Sequence, residues 1–207
     1  MKKLAILFLV LLATFSLAQN RMSYNEIINF KKSVKTEMNK INTFSATFTE
    51  TKHLSFLKKP TVSKGKFYLQ NPNKVLWQYT SPSKTSVIFV DNKITLKQAN
   101  KSKTTDLSRQ KNFAQLNALI IGSFNGDLFD NPAFESDFYT NTKGFLVRLM
   151  PKSKTAKKYL KRIELQFDKQ VDMVSEVKLI EPSNDYTQIL FSNKSINPNI
   201  SPSIFRP

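Results

Sequence analysis

The sequence predicts an α+β fold in which one N-terminal helix precedes a long antiparallel sheet that a helical segment interrupts once. Three observations lead to this prediction. Apolar residues recur at helical spacing up to about residue 41, a two-residue alternation begins at Thr43, and helical spacing returns only at residues 111–121. Short turns separate the alternating segments, so residues 19–207 are predicted to form one domain.

The N-terminus is typical of an export signal. Lys2 and Lys3 precede an apolar run from Leu4 to Leu12, and small residues near Ala18 suit cleavage before Gln19. Because the apolar run is too short to cross a bilayer, a cleaved signal over residues 1–18 is favoured over a membrane anchor. We therefore expect an exported protein located in the periplasm.

The individual elements are predicted from capping, periodicity and turn residues. Ser23 and Glu26 have the spacing of a capping box, and the helix that follows carries its apolar residues on one face to about Ile41. A second helix is predicted at Lys111–Ile121, a short helical or turn segment at Ser123–Asn131, and an extended Pro-rich tail at 196–207. The predicted strands are one beginning at Thr43 and those at Val62–Gln70, Lys74–Thr80, Thr85–Asp91, Lys93–Ala99, Phe134–Asn141, Gly144–Met150, Arg162–Asp168, Val174–Glu181 and Tyr186–Ser192.

The composition restricts the classes of partner. The formal net charge of +17 becomes +15 when Lys2 and Lys3 leave with the signal. An export signal argues against nucleic acid, so acidic surfaces or anionic headgroups are the favoured partners, although a generally lysine-rich surface explains the charge equally well. With no Cys, the chain has neither disulfides nor thiolate metal sites.

Signals of catalysis are weak, and we predict no catalytic or metal-binding residue. The only histidine, His53, has no Cys or second His to pair with, and it is interpreted as a partly exposed residue at a strand end. The carboxylate pairs Asp127/Asp130 and Glu135/Asp137 have the composition of a glycosidase site but fit helix ends and turns better. The basic stretch Lys152–Arg162 fits a solvated hairpin loop better than a docking site for an acidic partner or phosphate.

Two parts of the sequence resemble the LolA family of periplasmic lipoprotein carriers. The stretch from Phe44 to Lys52, FSATFTETK, is similar to the family's F-x-x-x-F-x-Q-x-K strand. It is followed by segments similar to the family's G-x-F strand, Pro turn and W-x-Y strand, at Gly65–Phe67, Asn71–Pro72 and Trp77–Tyr79, and then by Pro82. The stretch from Asp185 to Phe191, with Asn197 and Phe205, is similar to the closing strand and tail.

The resemblance implies a strongly curved antiparallel sheet, a half-open β-barrel, whose concave side is covered by a helical lid. It also implies a carrier that receives acylated lipoproteins from an inner-membrane ATP-driven lipoprotein-releasing complex. The carrier then delivers them to the outer membrane or its lipoprotein receptor. We expect a monomer without a cofactor. In the best-studied branch a basic residue before the turn Pro ties the sheet to the lid; here that position is Asn71, which implies weaker closure.

Strand alternation supplies candidate walls for a lipid-binding cavity, although ordinary core packing explains each residue individually. The wall residues are Phe67, Leu69, Val75, Trp77, Tyr79, Val87, Phe89, Ile94 and Leu96, and the lid residues are Phe113, Leu116, Leu119 and Ile120. Leu76, Ile88 and Val90 make the opposite face apolar too, so the sheet must be covered twice or hold a ligand. The alternatives are a carrier or sensor of another envelope lipid, lipid A-like or phospholipid, and an envelope hydrolase.

Overall fold

Twelve strands form one antiparallel sheet. The computed structural model describes residues 19–99, 101–106, 122, 127–170 and 173–206. The strands are β1 (Asn20–Arg21), β2 (Thr43–His53), β3 (Thr61–Gln70), β4 (Lys74–Ser81), β5 (Thr85–Val90), β6 (Lys93–Gln98), β7 (Lys101–Asp106), β8 (Phe134–Asn141), β9 (Gly144–Pro151), β10 (Arg162–Asp168), β11 (Val174–Ile180) and β12 (Tyr186–Ile196). Their order is β1-β8-β9-β10-β11-β12-β2-β3-β4-β5-β6-β7, which leaves β1 and β7 at free edges. The expected α+β fold with an unclosed antiparallel sheet is confirmed.

The capping box determines where the N-terminal helix begins. Helix α1 spans Tyr24–Met38, with Ser23 as its N-cap. The backbone N–H of Ser23 donates to Glu26 Oε2 at 2.7 Å, while the Ser23 hydroxyl accepts from the backbone N–H of Glu26. The Ser23 backbone N–H and the Ser23 hydroxyl both donate to the Glu26 carboxylate, and these two hydrogen bonds lower its pKa. The helix buries Phe30, Val34 and Met38, the spacing that the sequence predicts.

The structure corrects the sequence-based elements at several places. β1 and β7 are not predicted, because β1 is two residues long and β7 (KSKTTD) has no apolar alternation. The tail is not wholly extended: Pro202–Phe205 forms a 3-10 helix capped by Ser201. A one-turn helix α2, Lys154–Lys157, lies within the basic stretch between β9 and β10, and a 3-10 helix spans Asp127–Asp130. Residues 1–18 and the predicted middle helix at 111–121 lie outside the described residues.

The two faces of the sheet bury separate groups of side chains. We call the face on which α1 packs the inner face. The Phe30 ring lies 5.1 Å from Phe145, 5.3 Å from Phe167 and 6.1 Å from Phe138, on three adjacent strands. A single core of buried residues extends from these rings across the inner face to β6. Among the described residues, no helix is long and apolar enough to cross a membrane.

The chain's own C-terminal segment covers part of the outer face. Leu76 and Ile88 are buried there together with Phe205, and Ile200 and Ile204 pack against them. The apolar character of β4 and β5 on this face is therefore explained by intramolecular packing. The sequence predicts that an apolar outer face is either covered by protein or holds a ligand, and the structure shows coverage by protein.

Candidate functional site

An aromatic cluster occupies the inner face where β12, β2, β3 and β4 lie side by side. Cα pairing aligns Phe67 with Trp77 and Phe48 with Phe191, and residues paired in this way share a face. The Trp77 ring lies 4.7 Å from Phe67 and 4.9 Å from Phe48, both edge to face. Contacts of this geometry contribute about 0.5–1.5 kcal/mol each beyond burial, so the cluster is a stable apolar wall.

A glycine allows the cluster to pack this closely. Gly65 pairs with Phe48 across β2 and β3. A Cβ on Gly65 would lie 2.6 Å from the Phe48 ring and 2.3 Å from the backbone oxygen of Gln78. The Phe48 ring therefore lies over the backbone of Gly65, and any side chain there would push it away from Trp77.

The apolar wall continues toward the β7 edge. Register pairs Leu69 with Val75, Val75 with Phe89, and Phe89 with Ile94, so these four side chains form a row across β3, β4, β5 and β6. Val75 is fully buried. The fold brings together eight of the nine wall residues proposed from the sequence. The buried ones are Phe67, Leu69, Val75, Trp77, Phe89 and Ile94, and the half-buried ones are Tyr79 and Val87.

Leu96 differs from the other wall candidates. Its register partners are Val87 on β5 and Lys103 on β7, and it is 47% exposed. β7 supplies only polar residues, so Leu96 has an apolar neighbour on one side of its strand only. The lid candidates Phe113, Leu116, Leu119 and Ile120 lie outside the described residues, and their role stays a prediction.

The wall also carries a polar residue, Glu50, that the sequence pattern does not identify as part of the site. Glu50 follows Phe48 by two residues on β2, shares its face and is only 8% exposed. Its carboxylate accepts a 2.9 Å hydrogen bond from the Tyr79 hydroxyl and lies 3.2 Å from Lys52 Nζ. Burial, together with the charge and hydrogen bond of Glu50, raises the pKa of Tyr79 well above its usual range. The signal in the sequence is a carboxylate at a core-facing position of an alternating strand.

The indole of Trp77 adds a second polar feature. Its Nε1–H is buried and has no hydrogen-bond acceptor among the described residues. A buried donor without an acceptor costs roughly 1–3 kcal/mol, so such groups are uncommon in native proteins. A carbonyl oxygen of a ligand on this wall would satisfy it. The wall therefore offers aromatic and aliphatic surface with one free donor and one buried carboxylate.

Asn71 lies at the β3–β4 turn, beside the end of α1. Its side-chain amide donates to the carbonyl of Ile41, and its backbone N–H donates to the carbonyl of Asn42 at 2.9 Å. These bonds connect the turn to the segment between α1 and β2. A contact between Asn71 and the lid concerns residues outside the described part of the chain and stays a prediction.

Three of the residues considered for catalysis, His53, Asp130 and Asp137, have structural partners. His53 ends β2 and stacks on Tyr186 with ring centroids 4.3 Å apart, and it is half-buried as expected. Asp130 pairs with Lys31 at 2.5 Å and Asp137 with Arg21 at 2.6 Å. Glu135 and Asp137 lie within strand β8, which agrees with the predicted strand Phe134–Asn141 and corrects their interpretation as turn residues. Within the described ranges, no three His, Cys, Asp or Glu residues group closely enough to hold a metal ion.

Comparisons with known proteins agree with this architecture. The sequence profile described as outer membrane lipoprotein carrier protein LolA matches residues 39–207. A search of curated protein sequences finds no match.

Among solved structures, MucB superposes with a TM-score of 0.53 at 11% identity over 87% of this chain and 62% of MucB. The MucA/MucB complex of Pseudomonas aeruginosa gives a TM-score of 0.52 at 10% identity over 86% and 61% of the respective chains. This chain thus spans less than two thirds of MucB, and at such identity the similarity concerns the fold alone.

Proposed function

This chain belongs to the LolA family, and we propose that it is a periplasmic carrier that shields the acyl chains of lipoproteins on the inner face of its sheet. The observation that carries the proposal is the continuous wall from Phe191 through Trp77 to Ile94, on the face that the resemblance to the family implies is turned toward cargo. Members of the family bind or carry other molecules, and we propose no catalytic role for this one.

The energetics of acyl chains explain why such a wall is needed. Moving a methylene from an apolar environment into water costs about 0.8 kcal/mol, so an acyl chain of ordinary length costs roughly 10 kcal/mol or more. A carrier between two membranes must replace that apolar contact with its own surface. The free Nε1–H of Trp77 suits an ester or amide carbonyl at the head of an acyl chain. We therefore assign the carbonyl end of the cargo to the neighbourhood of Trp77.

The proposed partners follow from the family and from this role. Acylated lipoproteins are the cargo, an inner-membrane ATP-driven lipoprotein-releasing complex is the donor, and the outer membrane or its lipoprotein receptor is the acceptor. Residues 1–18 would act as the export signal. We propose that the carrier is a monomer that works without a cofactor.

A second candidate is the carriage or sensing of another envelope lipid, either lipid A-like or a phospholipid. The net charge of +15 that remains without residues 1–18 favours anionic headgroups and supports this alternative. Mass spectrometry of lipid extracted from the purified protein separates the two, because triacylated peptides and free lipids differ in mass and composition.

The proposal is tested with membranes that contain a labelled lipoprotein. We expect the purified chain, with a lipoprotein-releasing complex and ATP, to bring that lipoprotein into the soluble fraction. Trp77→Phe should keep the apolar wall but remove the donor, and so weaken cargo binding by about three- to tenfold. Lys66→Ala, at an exposed position on the outer face of the same sheet, is the control. Failure to release or bind any acylated protein or lipid would refute the proposal.

A further inference from the structure

Three large apolar side chains are exposed at one end of the sheet. Phe56 is 78% exposed and Leu57 39% exposed, both in the β2–β3 connection, and Tyr159 is 74% exposed in the β9–β10 connection. Single exposed apolar residues are ordinary, but several of them along one edge of a sheet indicate a binding surface.

The connections that carry these residues form one continuous edge. Register pairs Arg162 with Ile180, Ile180 with Tyr186, and Tyr186 with His53, so β10, β11, β12 and β2 have their ends in a row. We call the edge made by residues 54–60, 152–161 and 181–185 the loop rim. Hydrogen bonds join its parts: Lys161 Nζ donates to Asn184 Oδ1 at 2.7 Å, and the backbone N–H of Ser55 donates to Asp185 Oδ1 at 2.8 Å.

The loop rim is strongly basic. Its exposed lysines are Lys58, Lys59, Lys152, Lys154, Lys157, Lys158 and Lys161, whereas Glu181 is its one exposed acidic residue. The ion pairs found between described residues use basic groups elsewhere, such as Arg21, Lys31 and Lys194. The positive charge of the rim is therefore not neutralised by an ion pair within the described part of the chain.

We propose that the loop rim docks directly on a bilayer that contains anionic lipids. Lysines beside exposed aromatic residues match a bilayer interface, where rings lie at the headgroup level and ammonium groups attract anionic phosphates. Phe56 and Tyr159 lie on connections that β11 and β12 separate, so the anchors are spread along the rim. A broad anionic surface fits this spacing better than a single acidic peptide.

The loop rim lies at the end of the sheet where strand β2 leaves the apolar wall, so docking there would place a bilayer close to the wall. Strand β2 runs from the wall residue Phe48 through Glu50 to His53 and then directly into the connection that carries Phe56. A bilayer at the rim would therefore lie at the end of the sheet to which Glu50 and Tyr79 are nearest. The inference concerns a second surface and does not depend on what the inner face binds.

Vesicle co-sedimentation of the purified chain tests the proposal. We expect binding to vesicles of phosphatidylglycerol mixed with phosphatidylcholine, at least tenfold weaker binding to phosphatidylcholine alone, and loss of binding as salt is raised. Phe56→Ser with Leu57→Ser should weaken binding about tenfold or more. The triple charge reversal Lys154→Glu, Lys157→Glu and Lys158→Glu should abolish the preference for anionic vesicles.

Matched controls come from positions outside the loop rim. Tyr24, at the start of α1, is 78% exposed like Phe56, so Tyr24→Ser tests the loss of an exposed ring elsewhere. Lys32→Glu with Lys169→Glu tests charge reversal away from the rim. Both controls should bind vesicles as the parent does, and all variants should keep the parental thermal midpoint and acyl-probe binding. The proposal is overturned by equal binding to neutral and anionic vesicles, by rim variants that bind like the parent, or by acidic-protein binding without vesicle binding.

Discussion

The adjacent residues Val75 and Leu76 offer a direct test of whether the inner face of the sheet is a ligand site. They lie on opposite faces of β4, are 0% and 3% exposed, and belong to the inner and outer cores respectively. Replacing either with Glu places a carboxyl group in apolar surroundings. In a packed core the carboxyl must be protonated at pH 7, which costs about 4 kcal/mol relative to its ordinary pKa near 4.3. The loss of aliphatic packing adds roughly 1.5–3 kcal/mol.

We expect the two substitutions to differ. Leu76→Glu should lower the free energy of unfolding by about 5 kcal/mol or more, because Phe205 and Ile88 pack on it from the same chain. Val75→Glu should cost only about 2 kcal/mol, because an inner face that opens for cargo can admit water to the carboxylate. Binding of a fluorescent acyl probe should be impaired in Val75→Glu and unchanged in any Leu76→Glu protein that stays folded.

Urea unfolding at pH 7 and pH 5 provides the measurement. A Glu held protonated in the fold has a raised pKa, so its cost is largest above the unfolded-state pKa and falls as the pH approaches 4.3. Leu76→Glu should therefore recover about 3 kcal/mol between pH 7 and pH 5, and Val75→Glu much less. Equal costs and equal recovery at the two positions would show that the inner face is an ordinary closed core. Unaltered acyl binding in Val75→Glu would refute the assignment of the wall.

Substitutions at four further positions test particular contacts. Gly65→Ala should lower the free energy of unfolding by about 1–3 kcal/mol, because its Cβ would lie 2.3 Å from a backbone oxygen and 2.6 Å from the Phe48 ring. A denaturation midpoint equal to that of the parent would contradict this expectation. Because the pKa of Tyr79 is raised in the fold, the free energy of unfolding of the parent should fall by up to about 1.4 kcal/mol per pH unit above pH ~10. Tyr79→Phe should reduce this fall. Parallel profiles of unfolding free energy against pH for the two proteins would refute the Glu50 contact. Phe205→Ala should cost about 3 kcal/mol by uncovering the outer face, measured as a lower urea midpoint. Asn71→Arg should slow transfer of an acyl probe to vesicles if a basic residue there strengthens lid closure, whereas Asn71→Ala should cost only about 1 kcal/mol of stability.

Much of the sheet is predictable because its strands have one buried face and register is specified by that face. The alternation of buried residues in β2 continues from Phe44 to Glu50, and the capping box at Ser23 places the first turn of α1. β7 is not predictable in this way, because its six polar residues pair with β6 at an edge and bury no side chain. Its strand conformation comes from pairing alone, which leaves no apolar period in the sequence.

The candidate site is predictable in its apolar part and less so in its polar part. Alternation identifies Phe67, Val75 and Trp77, and register gathers them into one wall. Glu50 is buried beside Tyr79, which donates a hydrogen bond to it from a non-adjacent strand. The alternation within one strand cannot predict a contact between two separate strands. Leu96 obeys the alternation but remains exposed because its neighbours on β7 are polar.

The burial of the wall has a consequence for how a carrier of this kind would work. Phe67 and Val75 are completely buried in the described structure, so cargo can contact them only if other apolar groups leave. Binding is then an exchange, in which an acyl chain replaces protein side chains against the same wall. The acyl chain and the side chains that it replaces bury similar apolar areas against the wall, each worth roughly 25 cal/mol per Å². The net free energy of cargo binding is therefore a small difference between two large free energies of burial. Such a balance suits a passive carrier, because cargo moves toward whichever neighbouring apolar environment is slightly more favourable.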